Sequence, residues 1–446
     1  MAILLAAGPA SGAEQKAAAE DLTSMAKTFV DRLAAGDFAT AVKGFDPAMT
    51  AALPADKLAE VWKTLNAQAG AFQKQTGARS ETQAKYRVIF VRLKFEKAEL
   101  EAKIVFDESK RIAGLFFVPP PSASSEYRPP DYDRPGSHRD TEVRVGQGEW
   151  ALPGTLSSPT SSHAAPGLVL VHGSGPLDRD ETLGPNRPFR DLAAGLASRG
   201  VAVLRYDKRT RVYAARLATE RDDLTLREET VVDAVEAVRL LRRSRGVDGA
   251  RVFVLGHSLG GVALPRIAAL EPGIAGFVMF ATPSRPLQEN FLEQMTYLSG
   301  LDGVVTDEEK DRLESIRRQV ERLGRERSAG GESDDLPLGL SRAYWDDLLR
   351  HDAREAAAAL TGPVLVMQGG RDYQVTRQDF DGWRRIMKTR SDVVFKLYPT
   401  LNHLFMAGEA KSTPDEYLIA GHVAAEVIED LAAWLKARTG AAAPRA

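Results

Sequence analysis

Six apolar runs recur along the last two thirds of the chain: Leu168-Val169-Leu170-Val171, Val201-Ala202-Val203-Leu204, Val252-Phe253-Val254-Leu255, Phe277-Val278-Met279-Phe280, Val364-Leu365-Val366-Met367 and Val393-Val394-Phe395-Lys396-Leu397. A strand that is apolar at nearly every position is buried on both faces, and helical segments between such strands carry the chain from one to its parallel neighbour. An α/β fold built on a mostly parallel sheet flanked by helices is therefore expected over residues 139–440. Glu142-Val143-Arg144-Val145 and Trp150 to Leu156, flanking Gly146-Gln147-Gly148, read as a hairpin ahead of it. The rhythm breaks over about 285–360. There Phe291, Met295 and Leu298, then Leu313, Ile316 and Val320, keep helical spacing and no strand is visible. Such an insertion lies above the strand ends, where ligands bind in open α/β sheets, so it is a candidate helical cap. Within it, Glu308 to Arg327 reads as a solvated helix face and Gly330-Gly331-Glu332-Ser333 as a loop.

At 446 residues the chain exceeds the roughly 100 to 200 of one domain, so a second is expected. Residues 20–118 supply it. Met25, Phe29 and Leu33 share one helical face, and Tyr86, Val88 and Phe90, Leu100, Ile104 and Phe106, then Leu115 and Phe117 suggest half-buried antiparallel strands. A small α+β domain results, and the Pro- and Ser-rich residues 119–138 form the expected linker. No apolar run is long enough to span a bilayer. A formal charge of −2, with Arg205, Lys208, Arg209 and Arg211 set around Asp207, argues against nucleic acid as a partner. The absence of cysteine excludes disulfides, thiolate metal sites and a cysteine nucleophile. Residues 1–13, with Ser11 and Ala13 suiting a cut after Ala13, resemble a signal peptide without its basic start. They point to a secreted or periplasmic protein; a frayed Ala-rich terminus on a cytoplasmic one is the competing reading.

Gly256-His257-Ser258-Leu259-Gly260 fits G-x-S-x-G, the nucleophile elbow. The pattern arises by chance on the order of 0.1 times in such a chain, so its context decides. A buried strand, Val252 to Leu255, precedes it. Val262, Ala263, Ile267, Ala268 and Leu270 follow as a helix despite Pro265. Strand, sharp turn and helix would hold Ser258 in a strained conformation with its hydroxyl above the sheet, at a helix start that favours developing negative charge. The arrangement resembles the α/β-hydrolase superfamily, in which the catalytic order is Ser, then acid, then His.

A serine hydroxyl needs a base, and the base an orienting acid. His138, His163, His172 and His257 come too early in the chain, and His351 precedes any acid after a late strand. His422 falls in Ile419 to Leu435, which reads as an amphipathic helix. His403, in the loop Pro399-Thr400-Leu401-Asn402-His403 after the Val393 to Leu397 strand, is the expected base. Asp372, in Gln368-Gly369-Gly370-Arg371-Asp372 after the Val364 to Met367 strand, is the expected acid; Asp379 and Asp381 fall in the next helix. A helix-capping role is the bland alternative for Asp372. The oxyanion donors should be the Leu259 backbone N–H and one from Val171-His172-Gly173-Ser174-Gly175-Pro176, with Ser174 favoured and Gly175 the alternative. Asp178, Arg179, Asp180 and Glu181 read as an internally paired polar loop rather than a metal site, and Arg205 to Arg209 as a strand end that positions neighbouring loops. No metal and no organic cofactor is implied.

His172 to Pro176 with Asp178 to Glu181, then Gly256 to Gly260, Arg285-Pro286-Leu287, Gly369 to Asp372 and Asn402-His403 together resemble a bacterial carboxylesterase group over roughly the last three hundred residues. Phe29 to Phe38, the Trp62 helix and Gly114 to Pro119 resemble a small cone-shaped domain of the nuclear-transport-factor type found ahead of some bacterial hydrolases. Packing or dimerisation is its expected duty, so a homo-oligomer is allowed. The carboxylesterase resemblance implies a triad of Ser258, Asp372 and His403 acting on small esters with short acyl chains. Phe291, Met295, Tyr297, Tyr344 and Trp345 of the cap would shape an apolar acyl pocket. A peptidase, amidase or thioesterase with the same triad is the alternative among enzymes. A catalytically inert binding or scaffold protein is the alternative outside them.

Overall fold

The computed structural model describes residues 12–83, 86–118, 127–161, 163–214, 216–217, 224–326, 336–350, 352–358 and 360–438. It divides into two compact units, Met1–Ser122 and Ala123–Ala446. Residues 1–11, which carry the resemblance to a leader, and the loop Gly330 to Ser333 lie outside the described residues. No helix among the described residues is long and apolar enough to cross a membrane.

In the first unit, helices α1 (Gly12–Ala34) and α2 (Ala55–Ala69) precede four strands, β1 (Phe72–Gln83), β2 (Tyr86–Phe95), β3 (Glu99–Phe106) and β4 (Ile112–Val118). The strands form one antiparallel sheet in chain order. Phe29, Val30 and Leu33 of α1 and Leu58 and Trp62 of α2 pack on Ile89, Val91, Leu93, Phe95, Ile104 and Phe106. Two details go beyond the sequence reading. The helix-facing side of β2 is Ile89, Val91 and Leu93; Val88 and Phe90 are buried on the opposite face, where the Arg79 guanidinium lies 3.6 Å from the Phe90 ring centroid. Strand β1 was not anticipated because Phe72 to Gln83 carries no large apolar residue after Phe72. It sits at the edge of the sheet, where one side needs no partner strand and polar side chains can meet water.

The second unit opens with the hairpin β5 (His138–Val145) and β6 (Leu152–Pro159). It continues through β7 (Ala165–Val171), α3 (Pro188–Ala197), β8 (Ala202–Tyr206), α4 (Val232–Arg243), β9 (Val247–His257), α5 (Leu259–Leu270) and β10 (Phe277–Phe280). Helices α6 (Leu287–Ser299), α7 (Asp307–Glu326), α8 (Arg342–Arg350) and α9 (Ala353–Ala358) follow before β11 (Val364–Gly369). Helix α10 (Arg377–Ile386), β12 (Val393–Tyr398) and α11 (Ala425–Ala437) complete the unit. The strand order is β12-β11-β10-β9-β7-β8-β6-β5, parallel from β12 to β8, with the hairpin antiparallel at one edge.

Alternation within each apolar run explains the two cores. Val169, Val171, Val252 and Val254 face α4 and α5, while Leu168, Leu170, Phe253 and Leu255 face α3 and α11. A strand buried on both sides has no polar position to spare. Chain order reverses where β7 lies between β8 and β9. Such a switch point leaves a crevice outside the carboxyl ends of the strands. Val171 pairs with Gly256, His257 with Phe280 and Phe280 with Met367, so the loops after β7, β9, β10 and β11 emerge along the same edge.

Candidate active site

Ser258 follows the last residue of β9 and caps the first turn of α5, with φ 52° and ψ −118°. Such a conformation costs a non-glycine residue on the order of 1–3 kcal/mol and persists only where its surroundings enforce it. Here the Ser258 N–H donates to Phe280 O at 2.8 Å, and the Gly261 N–H to Ser258 O at 2.9 Å. The neighbouring glycines let backbones touch. A Cβ on Gly260 would lie 2.6 Å from His172 O, and one on Gly256 would lie 2.5 Å from Gly261 N.

Asp372 stands in the turn after β11, its side chain fully buried. Oδ1 accepts the Gln374 and Val375 N–H groups at 2.8 and 2.9 Å, and Oδ2 accepts Gln368 Nε2 at 3.0 Å and His403 Nδ1 at 2.7 Å. Committing Nδ1 to Asp372 leaves Nε2 as the nitrogen able to take a proton. The His403 loop is held by Asn402, whose Oδ1 accepts the Leu404 and Met406 N–H groups at 3.0 and 3.1 Å and whose Nδ2 donates to Glu416 at 3.1 Å. Glu416 in turn pairs with Arg371.

Beneath the loop after β7 lies a buried polar network. The Gly173 N–H donates to Glu181 Oε1 at 2.8 Å, His257 Nδ1 to Glu181 Oε2 at 2.9 Å and His257 Nε2 to His403 O at 3.2 Å. One ion pair thus ties the loops after β7, β9 and β12 together. Burial opposes charge on His257, but the Glu181 carboxylate outweighs it and raises the imidazole above its ordinary range. Burial likewise works against the Glu181 anion, and the charge and hydrogen bond of His257 reverse this and hold the carboxyl below its usual range. His172 is pushed down to about 4 by burial, and its neutral ring donates from Nε2 to Asp178 O at 3.0 Å. The 178–181 loop is not paired within itself as expected: only Asp178 stays local, accepting two N–H groups of its own turn, while Asp180 pairs with Arg205 at 2.8 Å. Arg179 binds Asp207 and Glu142. Among the described residues no group of three or more acidic or histidine side chains is placed to hold a metal ion.

The helical insertion is anchored where it leaves the sheet. Asp379, with no exposed surface, accepts the Ser284 and Arg285 N–H groups at 2.9 and 3.1 Å, Arg285 Nη2 at 2.7 Å and Asn290 Nδ2 at 3.0 Å. One cavity borders the elbow at Leu259 and another borders the loop after β7 at Gly175 and Pro176. The first runs along Leu259, Val262, Pro286, Leu287, Leu323 and Leu348; the other along Gly175, Pro176, Thr210, Glu229, Leu340 and Tyr344. Tyr344 therefore borders the second, its hydroxyl donating to Glu229 at 2.6 Å. Trp345 points into the insertion, packed with Leu323 and Leu336 and bonded through Nε1 to Pro337 O at 3.1 Å. Phe291 and Met295 are half-buried on α6 and line neither cavity. His422 precedes α11 instead of lying within it, because Asp191 holds both its ring, at 3.2 Å, and the Val423 N–H, at 3.0 Å.

Glu181, His257, Lys208, Glu229 and Gln368 were not singled out from the sequence. Their segments were legible as strand ends and polar loops, but no local signal pairs Glu181 with His257, 76 positions apart, or Glu229 with Tyr344, 115 apart.

A mostly parallel sheet, an elbow serine at its switch point and a buried carboxylate–histidine pair at the same edge define the class, and sequence comparison agrees: residues 168–420 match the alpha/beta hydrolase family, to which this chain belongs. Residues 26–115 match a separate family described as a protein of unknown function, DUF3887. The chain is homologous to an esterase, EstD of Thermotoga maritima, at 38% identity over 407 residues, which covers 91% of this chain and 93% of that one. Solved structures similar to it include a hyperthermophilic esterase from Pyrobaculum calidifontis (16% identity, 67% of this chain and 86% of that chain, TM-score 0.42). Est1E from Butyrivibrio proteoclasticus is another (16% identity, 66% and 99%, TM-score 0.42).

Proposed function

We propose that this protein is a serine esterase acting on small carboxylic esters, with Ser258 as nucleophile, His403 as base and Asp372 as the residue that orients it. The observation that carries the reading is the 2.7 Å contact of His403 Nδ1 with a fully buried Asp372, at the strand edge from which the strained Ser258 also emerges. Kinship with EstD supports the choice of ester over amide.

The chemistry runs in two halves. Ser258 Oγ attacks the acyl carbonyl while His403 Nε2 takes its proton, and the oxyanion is met by the N–H groups of Leu259 and Ser174. Leu259 is the first residue of α5, so its N–H has no helical acceptor. The Ser174 N–H donates to no group among the described residues. The tetrahedral adduct collapses as the alcohol leaves with the proton from His403. Water then attacks the acyl-enzyme, giving its proton to His403, and the acid departs as Ser258 is re-protonated. Asp372 fixes the tautomer and stabilises the imidazolium.

The insertion 285–360 acts as a cap. The cavity between it and α5, walled by Leu287 and Leu348 of the insertion and Leu259 and Val262 of α5, suits a short acyl chain. The test is turnover of a nitrophenyl ester series by the wild type and Ser258→Ala, with fluorophosphonate labelling of both. Turnover should vanish in the variant, labelling should map to Ser258, and rates should peak at short acyl lengths. Undiminished turnover in Ser258→Ala would overturn the reading.

A further inference from the structure

Of the buried cations that the mechanism leaves unused, Lys208 is the least exposed among the described residues. Lys208, immediately after β8, is 2% exposed, and its ammonium donates to Gly173 O at 2.7 Å and pairs with Glu229 Oε1 at 2.6 Å. Glu229, itself buried, accepts the Tyr344 hydroxyl of α8 on its other oxygen at 2.6 Å. Neutralising a buried glutamate would be reason enough for a lysine, but would not require it to reach a backbone carbonyl as well.

That carbonyl belongs to the Gly173–Ser174 peptide. No cis peptide bond is present among the described residues, and in a trans peptide the C=O and the following N–H point in opposite directions. Drawing Gly173 O towards the interior therefore turns the Ser174 N–H the other way, out of the protein body. The loop lies directly against the nucleophile, since a Cβ on Gly173 would come 3.3 Å from Ser258 Cβ. The preceding peptide is fixed as well, its N–H held by Glu181. A cation on the carbonyl oxygen also draws electron density through the amide and makes the N–H a stronger donor, as hydrogen bonds in series polarise one another.

We propose that Lys208 is a positioning residue for the transition state: it aims and polarises the Ser174 N–H as an oxyanion donor, and Glu229 with Tyr344 ties that alignment to the docking of the cap. The proposal rests on the esterase reading, with Ser258 as nucleophile. It also distinguishes Ser174 from Gly175, because only the Gly173–Ser174 peptide carries the lysine.

Three variants test it: Lys208→Met, the charge-balanced Lys208→Met/Glu229→Gln, and Lys208→Arg. For each, kcat and KM are measured on a short nitrophenyl ester, together with Tm and inhibition by an aryl trifluoromethyl ketone, whose serine adduct carries an oxyanion. Loss of alignment should cost less than the roughly 10²–10³ in kcat of deleting a donor outright. A fall of about 10- to 100-fold is expected in both methionine variants, with KM within about threefold and ketone inhibition weakened in parallel with kcat/KM. Lys208→Arg should recover part of the loss. A purely structural lysine would lower Tm in Lys208→Met, regain it in the double variant, and leave kcat and ketone affinity of the folded double variant at wild-type values. That result overturns the proposal, as does failure of both methionine variants to fold. Ser258→Ala in the same series separates the two readings: if it retains turnover, the esterase assignment itself falls.

Discussion

Asparagine at position 372 preserves size and shape while removing charge, and the surroundings dictate which way its amide must face. Oδ1 of Asp372 receives two backbone N–H groups, from Gln374 and Val375 at 2.8 and 2.9 Å, so the amide oxygen is held there. Its NH2 is then forced towards His403 Nδ1, where the carboxylate now accepts at 2.7 Å. A donor at that place compels Nδ1 to accept, the ring proton moves to Nε2, and Nε2 can no longer take the proton of Ser258. A tautomer defect of this kind in a Ser-His-Asp triad drops kcat by about 10⁴. At about 1.36 kcal/mol per tenfold this is roughly 5.5 kcal/mol of transition-state stabilisation. The same NH2 also meets Gln368 Nε2, now 3.0 Å from the carboxylate, and two donors facing each other in a buried site cost about 1–3 kcal/mol of stability. The assay is kcat and KM of Asp372→Asn on a short nitrophenyl ester at neutral pH, with circular dichroism to verify folding. KM should change little. A folded variant within tenfold of wild-type kcat would refute the reasoning.

The pH dependence of stability should carry the mark of His172. Burial lowers its pKa to about 4 from the ordinary 6.5, so between those values the unfolded chain binds a proton that the native ring refuses. This contribution is fully present above pH 6.5 and is lost as pH falls towards 4, on the order of 3 kcal/mol in all. The raised His257 runs the other way, losing its contribution as pH rises through its folded pKa. Urea unfolding of wild type and His172→Gln at pH 7 and pH 4.5 isolates the first term, and equal pH sensitivity in both would disprove it. Gly260→Ala should destroy the elbow, since its Cβ meets Val171 O and would lie 2.6 Å from His172 O, both backbone atoms of the central strand's end. Expression of a soluble variant with wild-type fluorophosphonate labelling would show that the strand end can yield.

Much of this protein is written locally, and those parts were readable. Apolar runs such as Val252 to Leu255 must be buried on both faces wherever they lie, and the elbow is strand, turn and helix within about twenty residues. Chain order made Asp372 and His403 the expected acid and base, and each lies in the loop after its own strand at the same edge of a parallel sheet. Phe72 to Gln83 was unreadable as a strand because an edge position imposes no apolar alternation, and alternation alone could not say which face of β2 meets the helices, since Val88 and Phe90 are buried on the other.

What only the tertiary structure decided is how the charges inside the protein are spent. Glu181 meets His257, and Lys208 meets Gly173 O and Glu229, while Trp345, read from composition as pocket, became the core of the insertion. A buried charge must find a partner, but Coulomb attraction and hydrogen bonding act through space, and sequence position says nothing of which loop end will lie 3 Å away once the sheet has closed. The elbow serine could be read from its neighbours along the chain; the residues that hold its surroundings in place could be found only among its neighbours in space.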